Sequence, residues 1–387
     1  MDNVFDIFDL LPERTYVKLR DTFRKQLIDL CIDNAGGVNK LANKLGIPRQ
    51  KIYQFKRGWL RISYENLLFF VRYSGISLDK TWDEIDGFAH PGGSNTIKPP
   101  RYIDVNENLL WLMGIRAGDR AETETQIGIC NSDISILKKF YNILLSYNAP
   151  KSSIYLYVYL KDEKNKSDVK KRVRVFSPIR IKYYCRKESN FYCLLQYNNS
   201  FFHKIIYLLE KNNIEELPLN LKSAFLQGFA DAEAHVDIRG EIIFTQKANK
   251  EGKRNIRLIQ KILDDFDIKY KIRERDGLLR LFTLKECIKR YRDIIGFSSV
   301  RKRKELECVI QIRSKSYDKR NIENDILKMS QKEVTQKEIA FSLKSKRSKI
   351  RLYIRDLESK GKIKIIKNRP LTVISVKEAP HDSLLPH

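Results

Sequence analysis

Two acidic residues, Asp119 and Glu233, sit in the same local pattern, and that pattern gives them chemistry. Each follows a short apolar run: Asn108 to Ile115 leads into Leu112-Met113-Gly114-Ile115-Arg116-Ala117-Gly118-Asp119-Arg120, and Leu221 to Phe229 leads into Leu226-Gln227-Gly228-Phe229-Ala230-Asp231-Ala232-Glu233-Ala234. Both runs read as helices. Gly114 and Gly118 are four residues apart, as are Gly228 and Ala232, so each pair of small residues shares one helix face and permits close backbone contact. Two helices packed through those faces would bring both acids together at their C-terminal ends, where the helix dipole is negative and like charges oppose each other's ionisation. A hard divalent cation with oxygen ligands, shared with a phosphate, resolves that conflict.

The elements needed to position the acids also occur twice. After the first copy come the strand-like Gln126 to Cys130, the polar turn Asn131-Ser132-Asp133 and an amphipathic helix from Ile134 to Leu145. After the second come Glu241 to Gln246, a polar turn ending at Asn249 and a helix from Asn255 to Phe266. The halves end alike, in Lys204 to Leu209 and Ile288 to Gly296. With this repeat the chain, over roughly residues 105 to 310, resembles a single-chain LAGLIDADG homing endonuclease carrying two motifs. The resemblance implies an α+β fold: a pseudo-two-fold αββαββα domain with the motif helices on its axis. It further implies Mg2+-dependent cleavage of both strands of double-stranded DNA, with Asp119 and Glu233 as catalytic residues and metal ligands, by a monomer acting as a pseudo-dimer. Asn131 and Gln246 hold corresponding positions after the motifs, and His235 follows Glu233 by two, so all three are expected at the site's periphery. The sequence departs from the family where Arg120 and Ala234 replace the usual closing glycine, which frees the backbone to turn sharply. Arg120 would also lay a cation across Asp119, a pairing able to replace the metal.

The 387 residues carry a net charge of +26, spread over most of the chain, which favours a polyanionic partner. No apolar run reaches about 18 residues and the acidic start lacks a signal-peptide pattern, so an intracellular protein, cytoplasmic or nucleoid-associated, is expected. The six cysteines are scattered without a CxxC pair and the five histidines are isolated, which argues against a zinc site or a disulfide partner.

Residues 1–88 read as a small all-α domain, with a first helix from Val17 to Asn34. Val38 to Leu45, a turn at Gly46-Ile47 and a helix opened by Pro48 resemble a repressor-type helix-turn-helix, with Ala42, Leu45, Ile47 and Ile52 holding the two helices together. Arg49, Gln50, Lys51 and Gln54 then face outward, suited to base edges in the major groove, while Lys56 and Arg57 suit phosphates. Residues 89–104, dense in Pro, Gly and Ser, read as a linker.

Repeat 1 is placed at residues 105–203 and repeat 2 at 204–312. Within repeat 1, Ile154 to Leu160 is strand-like with alternating tyrosines. Val173-Arg174-Val175 and Ile179 to Tyr184 alternate basic with apolar residues, so Arg174, Arg180 and Lys182 would line one sheet face along a duplex backbone; Lys269 to Arg275 repeats the theme. Residues 313–387 resemble a winged helix: helices Ile322 to Met329, Gln336 to Leu343 and Lys346 to Lys360, then a hairpin from Lys362 to Val376. Val334 to Ala340 would be its supporting helix, and Ser345 to Tyr353, with Lys346, Arg347, Lys349 and Arg351, its recognition helix. Three DNA-reading modules in one chain fit a targeted nuclease; the alternative is a transcription regulator whose nuclease scaffold has fallen silent, as in bacterial sporulation regulators that join a LAGLIDADG-like domain to a helix-turn-helix.

Overall fold

The computed structural model describes residues 4–12, 14–90, 96–119, 126–161, 166–185, 191–210, 214–314, 319–343, 345–368 and 371–375. The chain divides into two compact units, Met1–Ala232 and Glu233–His387.

The first unit opens with strands β1 (Val4–Asp6) and β2 (Tyr16–Leu19), followed by helices α1 (Asp21–Ala35), α2 (Val38–Leu45) and α3 (Arg49–Arg57). Strand β3 (Ile62–Ser63), helices α4 (Tyr64–Ser74) and α5 (Leu78–Asp83), and strands β4 (Ile85–Ala89) and β5 (Tyr102–Asp104) complete this part. Leu27, Ile28, Cys31, Leu41, Ile52, Leu67 and Phe70 are fully buried and knit the four longer helices together. Gly46 ends α2 at φ 63°, a left-handed conformation cheap only for glycine, and so allows the tight turn into α3.

Two sequence expectations are corrected here. Residues 17–19 belong to a strand and not to the first helix: Tyr16 to Leu19 alternates side chains across a sheet of order β3-β2-β4, with Val17 and Leu19 buried. The stretch 89–104 is also more than a linker, although its residues 91–95 lie outside the described ones. Ala89 ends β4, Ile97 exchanges backbone hydrogen bonds with Phe88, and β5 pairs antiparallel with β1. Short apolar insertions among the breakers, Ile97 and Ile103, are both buried and carry these pairings.

The same unit continues with α6 (Glu107–Asp119), β6 (Gln126–Asn131), α7 (Ile134–Ser146), β7 (Ile154–Leu160), α8 (Lys166–Val173), β8 (Arg180–Cys185), β9 (Tyr192–Asn198), α9 (Ser200–Glu210) and α10 (Leu219–Glu233). The sheet runs β6-β9-β7-β8, and β8 lies parallel to β7 at the edge. Val173 ends a helix and Arg174 to Phe176 is a 3-10 turn, where a strand was expected. Val169, Val173 and Phe176 are all buried, a helical spacing that overrode the apparent alternation at 173–175. Phe88 of β4 stacks on Phe201 of α9 at 5.2 Å, so the N-terminal part packs directly on the elements that follow it.

In the second unit, β10 (Ala234–Asp237), β11 (Glu241–Lys247), α11 (Lys250–Asp265), β12 (Tyr270–Arg275), β13 (Leu278–Thr283), α12 (Ile288–Ile294) and α13 (Val300–Ser314) follow directly. The sheet order β10-β11-β13-β12 reproduces the order β6-β9-β7 of the first, with β11, β13 and β12 matching these three in turn. The segment α8–β8 is therefore an insertion that extends the first sheet. The two polar turns serve as helix caps: the Asp133 carboxylate accepts from Ser135 N and the Asn249 side chain accepts from Gly252 N. Because Asn249 caps there, α11 begins earlier than its apolar period suggests.

The C-terminal part comprises α14 (Lys319–Met329), β14 (Val334–Thr335), α15 (Gln336–Ser342), α16 (Arg347–Ser359), β15 (Ile363–Asn368) and β16 (Leu371–Ser375), with the sheet order β14-β16-β15. Ile322, Ile326, Ile339, Ile350, Ile354 and Val373 form its dry centre. Val334 and Thr335, expected in the supporting helix, pair instead with Val373 and Thr372. Thr335 then caps α15 in a reciprocal arrangement: Glu338 N donates to Thr335 Oγ1 at 3.2 Å and Thr335 N donates to Glu338 Oε2 at 2.8 Å. The bonds that Thr335 N and Thr335 Oγ1 donate to Glu338 Oε2 hold its carboxyl below the usual range, so their contribution is present at neutral pH and fades as pH falls through the carboxylate range. Thr335→Ala is expected to destabilise this module by about 1 kcal/mol in denaturant unfolding; an unchanged midpoint would show that α15 is held by packing alone. Among the described residues no helix is long and apolar enough to cross a membrane.

Candidate functional site

Helices α6 and α10 cross backbone to backbone. A Cβ placed on Gly114 would lie 2.0 Å from the Phe225 carbonyl oxygen, and one on Gly228 would lie 2.2 Å from the Trp111 carbonyl oxygen. Each glycine therefore sits where the partner helix leaves no room for a side chain. Leu110, Leu112, Ile115, Leu226 and Ala230 are fully buried along the same helices. A polar contact accompanies this apolar packing: Trp111 Nε1 donates to Asp231 Oδ2 at 2.9 Å, with Asp231 only 1% exposed. Lys139 of α7 lies over the Trp111 ring at 4.4 Å and donates to Gln227 Oε1 at 3.3 Å, tying a third helix to the crossing.

The acids end these helices. Asp119 is the last residue of α6 and half-buried; Asn131 Nδ2, at the end of β6, donates to its Oδ2 at 2.6 Å. Asn131 is itself oriented, because its Oδ1 accepts from Asp133 N at 2.8 Å. Burial and the nearby Asp119 charge both raise the Cys130 thiol pKa, so it stays protonated. Glu233 is the last residue of α10 and half-buried. Ala234 enters β10 immediately, pairing with Phe244, and among the described residues positive φ outside glycine occurs only at Arg14, Asn148, Asp267 and Asp276. Alanine in place of the motif glycine thus introduces no left-handed strain at this end. Arg120 lies outside the described residues.

His235 lies on β10 and Gln246 on β11. His235 is exposed on β10, and partial desolvation keeps its imidazole pKa below the usual range, with Lys302 and Arg280 adding to the effect against the pull of Asp237. Gln246 is held by its own neighbours, accepting from Asn255 Nδ2 at 3.1 Å. The match between Gln246 and Asn131 in sequence is therefore not a match in contacts within each unit.

Candidate DNA-facing residues are mostly placed at the surface. Arg49, Gln50 and Lys51 are exposed on α3 and Gln54 is half-buried, while Ile52 and Phe55 point to the core. Lys56 donates to Asp29 instead of projecting freely, and Arg57 lies over the Trp59 ring at 4.8 Å. Arg174, Arg180 and Lys182 are exposed, but only the last two share a strand. Lys346, Arg347 and Arg351 are exposed and Lys349 half-buried at the start of α16.

Sequence reasoning missed the fully buried Arg116 and the buried Asp231. Each interrupts an otherwise apolar face, and that interruption was the available signal. Arg116 stands three residues before Asp119, on the same side of α6, which brings a cation into the acid's neighbourhood. Among the described residues no cluster of three or more His, Cys, Asp or Glu side chains is arranged to hold a metal ion. The donor set at hand, carboxylate and amide oxygens, nevertheless fits Mg2+, which keeps several waters and is commonly bound through one or two carboxylates plus substrate phosphates.

Residues 220–296 match the family model of a LAGLIDADG-like domain. Among solved structures, the homing endonuclease I-DmoI, in a complex with DNA and Mn, is 15% identical over 50% of this chain and 98% of its own, with a TM-score of 0.35. The homing endonuclease I-WcaI, bound to its DNA recognition sequence, is 9% identical over 51% of this chain and 87% of its own, with a TM-score of 0.33. Full-length DUF199/WhiA from Thermatoga maritima is 14% identical over 66% of this chain and 91% of its own, with a TM-score of 0.36. A search of curated proteins returns no match.

Proposed function

We propose that the chain is a sequence-specific double-stranded DNA-binding protein whose LAGLIDADG-like core cuts both strands in a divalent-metal-dependent reaction. The observation that carries this reading is the glycine crossing of α6 and α10, with each motif acid the same number of residues beyond its crossing glycine. Asp119 and Glu233 would hold Mg2+, which supplies an activated water and charge stabilisation at the phosphate. Asn131 would orient the Asp119 carboxylate through its 2.6 Å hydrogen bond. In this reading 1–88 is a helix-turn-helix domain, 105–203 and 204–312 are the two repeats, and 313–387 is a winged helix. The terminal modules would raise affinity and specificity through effective concentration.

A second reading, a transcription regulator with a silent nuclease core, draws on Arg116, a buried guanidinium one turn before Asp119: a cation facing the acid would reduce the need for a metal there. The deciding experiment incubates purified protein with a plasmid library of genomic and random inserts, in magnesium and separately in calcium, and sequences the ends formed. Discrete cuts in magnesium support the nuclease. Specific retention of fragments without cutting supports the regulator.

For the N-terminal module, Arg49→Ala or Gln50→Ala is expected to relax base preference at one end of the bound site, by about tenfold at the affected position. Binding to a panel of singly mutated sites checks this, and an unchanged preference profile would remove α3 as a base reader.

A further inference from the structure

We propose that a cavity beside the C-terminal end of α3 binds a small organic phosphate. The cavity has a volume of about 440 Å³, within the range of small-molecule sites. Residues Tyr16 to Leu19 of β2 form one wall, and the start of α1 and the turn that leaves α3 supply most of the rest. Its lining is unbalanced in charge. Lys18, Arg24, Arg57 and Arg61 all contribute to it, against the single carboxylate of Asp21, and that carboxylate is 79% exposed to water, which screens it. Like charges gathered round a concavity repel one another and focus a positive potential inside it, a conflict that an anionic occupant relieves.

Arg24 is the anchor of the site. Its side chain is only 10% exposed, yet its guanidinium is incompletely used: Nη1 donates to Asp21 Oδ1 at 2.6 Å and Nε donates to the Lys56 carbonyl oxygen at 3.4 Å. A guanidinium carries five N–H donors, so donors remain for an occupant, in the planar fork that suits a phosphate. Gly58 makes room for this group. It ends α3 at φ 76°, where glycine is favoured, and a Cβ on it would lie 2.6 Å from Arg24 Nη2. A side chain at that position would displace the guanidinium.

The depth of Arg24 separates a free ligand from a DNA backbone. A duplex presents its phosphates on a broad convex surface, which projecting cations reach; a recessed guanidinium meets only a molecule small enough to enter. Leu19, Leu60 and Ile62 also line the cavity and offer apolar contact to the body that carries the phosphate. The inference goes beyond the proposed function and depends neither on the two acids nor on DNA binding.

Isothermal titration calorimetry on the full chain tests it, with phenyl phosphate as the probe and benzyl alcohol as an uncharged counterpart. Phenyl phosphate is expected to saturate with a dissociation constant of about 1 mM or below, and benzyl alcohol not to saturate. Arg24→Met and, separately, Arg61→Gln should each weaken phenyl phosphate binding by about tenfold; Arg61 is exposed, so its variant carries the test if Arg24→Met fails to fold. No saturation by phenyl phosphate up to about 20 mM, equal binding of benzyl alcohol, or unchanged binding in folded variants would overturn the site. Phenylglyoxal labelling of the unmodified protein, read by peptide mass spectrometry, needs no variant. Phenyl phosphate should slow labelling of Arg57 and Arg61 by about threefold or more while leaving Arg273 and Arg275 unchanged, and protection spread evenly over all four would reject a discrete site. Displacement of phenyl phosphate by a short blunt duplex would assign the cavity to the DNA backbone and overturn the free ligand. Phenyl phosphate binding by a protein that binds no duplex would support the site and count against the proposed function alone.

Discussion

Gly228→Val is expected to be among the most damaging single substitutions in the chain. The helix gains rotational order when glycine is replaced, and Gly→Ala in a helix interior is worth about 1 kcal/mol in favour of the variant. That gain is outweighed here. The first added carbon meets the Trp111 carbonyl oxygen at 2.2 Å and the Ile115 nitrogen at 2.9 Å, both backbone atoms that cannot rotate away. The helices must separate, and separation strains the buried bond from Trp111 to Asp231 and loosens contacts of Leu226 and Ile115. Overpacking of a tight core costs about 1–3 kcal/mol and occasionally more, so Gly228→Ala should lose about 1–2 kcal/mol and Gly228→Val about 3 kcal/mol or more. Gly114→Ala faces the same obstacle from the other helix, 2.0 Å from the Phe225 oxygen. Because one displacement relieves both clashes, the double alanine variant should lose less than the sum of the singles. Urea unfolding followed by circular dichroism measures all three; a raised midpoint for Gly228→Ala would mean that the crossing is looser than the backbone distances require.

These distances explain why the crossing could be read from sequence at all. Small residues four apart on an apolar helix have few uses other than close approach, and the repetition of the pattern made a packed pair the simplest reading. The strand from Ile154 to Leu160 was equally legible, since strict alternation over seven residues leaves no competing period. Elements failed where two periods competed. Val173 and Val175 alternate like a strand, yet Val169, Val173 and Phe176 bury themselves as a helix and turn. The stretch 89–104 looked like a linker because turn-forming residues dominate it; only Ile97 and Ile103 show that its backbone is paired.

Polar detail at the site was the least legible part. Nothing in the spacing of Asn131 separates a residue that holds Asp119 from one that merely ends a strand, because the contact depends on how β6 meets the end of α6. Burial of Arg116 and Asp231 was hidden for a related reason. Charged residues are ordinarily placed on the solvent side of a helix, and only a helix enclosed on several sides reverses that assignment. The tyrosines of β7 were visible as a pattern, but the alignment of Tyr159 with Tyr184 depends on a parallel edge strand that the αββαββα expectation does not contain.

The second large effect is expected from Asp119→Asn and Glu233→Gln. Both replacements keep the shape of the side chain and remove its charge. At position 119 the amide oxygen can still accept from Asn131 Nδ2, so the hydrogen bond that fixes the end of α6 has a successor and the fold should be retained. What disappears is the carboxylate proposed to neutralise a divalent ion beside the phosphate. A metal-supported step draws several kcal/mol from that charge, and a loss of about 4 kcal/mol corresponds to about a thousandfold in rate. Cleavage in magnesium should therefore fall by about that factor for either variant. Binding should move the other way or not at all, because a neutral side chain no longer repels the phosphate backbone, and the salt dependence of binding in calcium should keep its slope. Parallel measurement of cut ends in magnesium and of retained target in calcium separates the possibilities. Cutting within about tenfold of the parent would exclude these carboxylates from the chemistry, and loss of binding together with cutting would assign them to the architecture of the helix ends. If the parent protein binds its target and does not cut, Asp119→Asn still tests a pairing with Arg116, three residues before it: an acid that balances that buried guanidinium would lower stability when neutralised, whereas an acid retained for metal would leave the unfolding midpoint where it was.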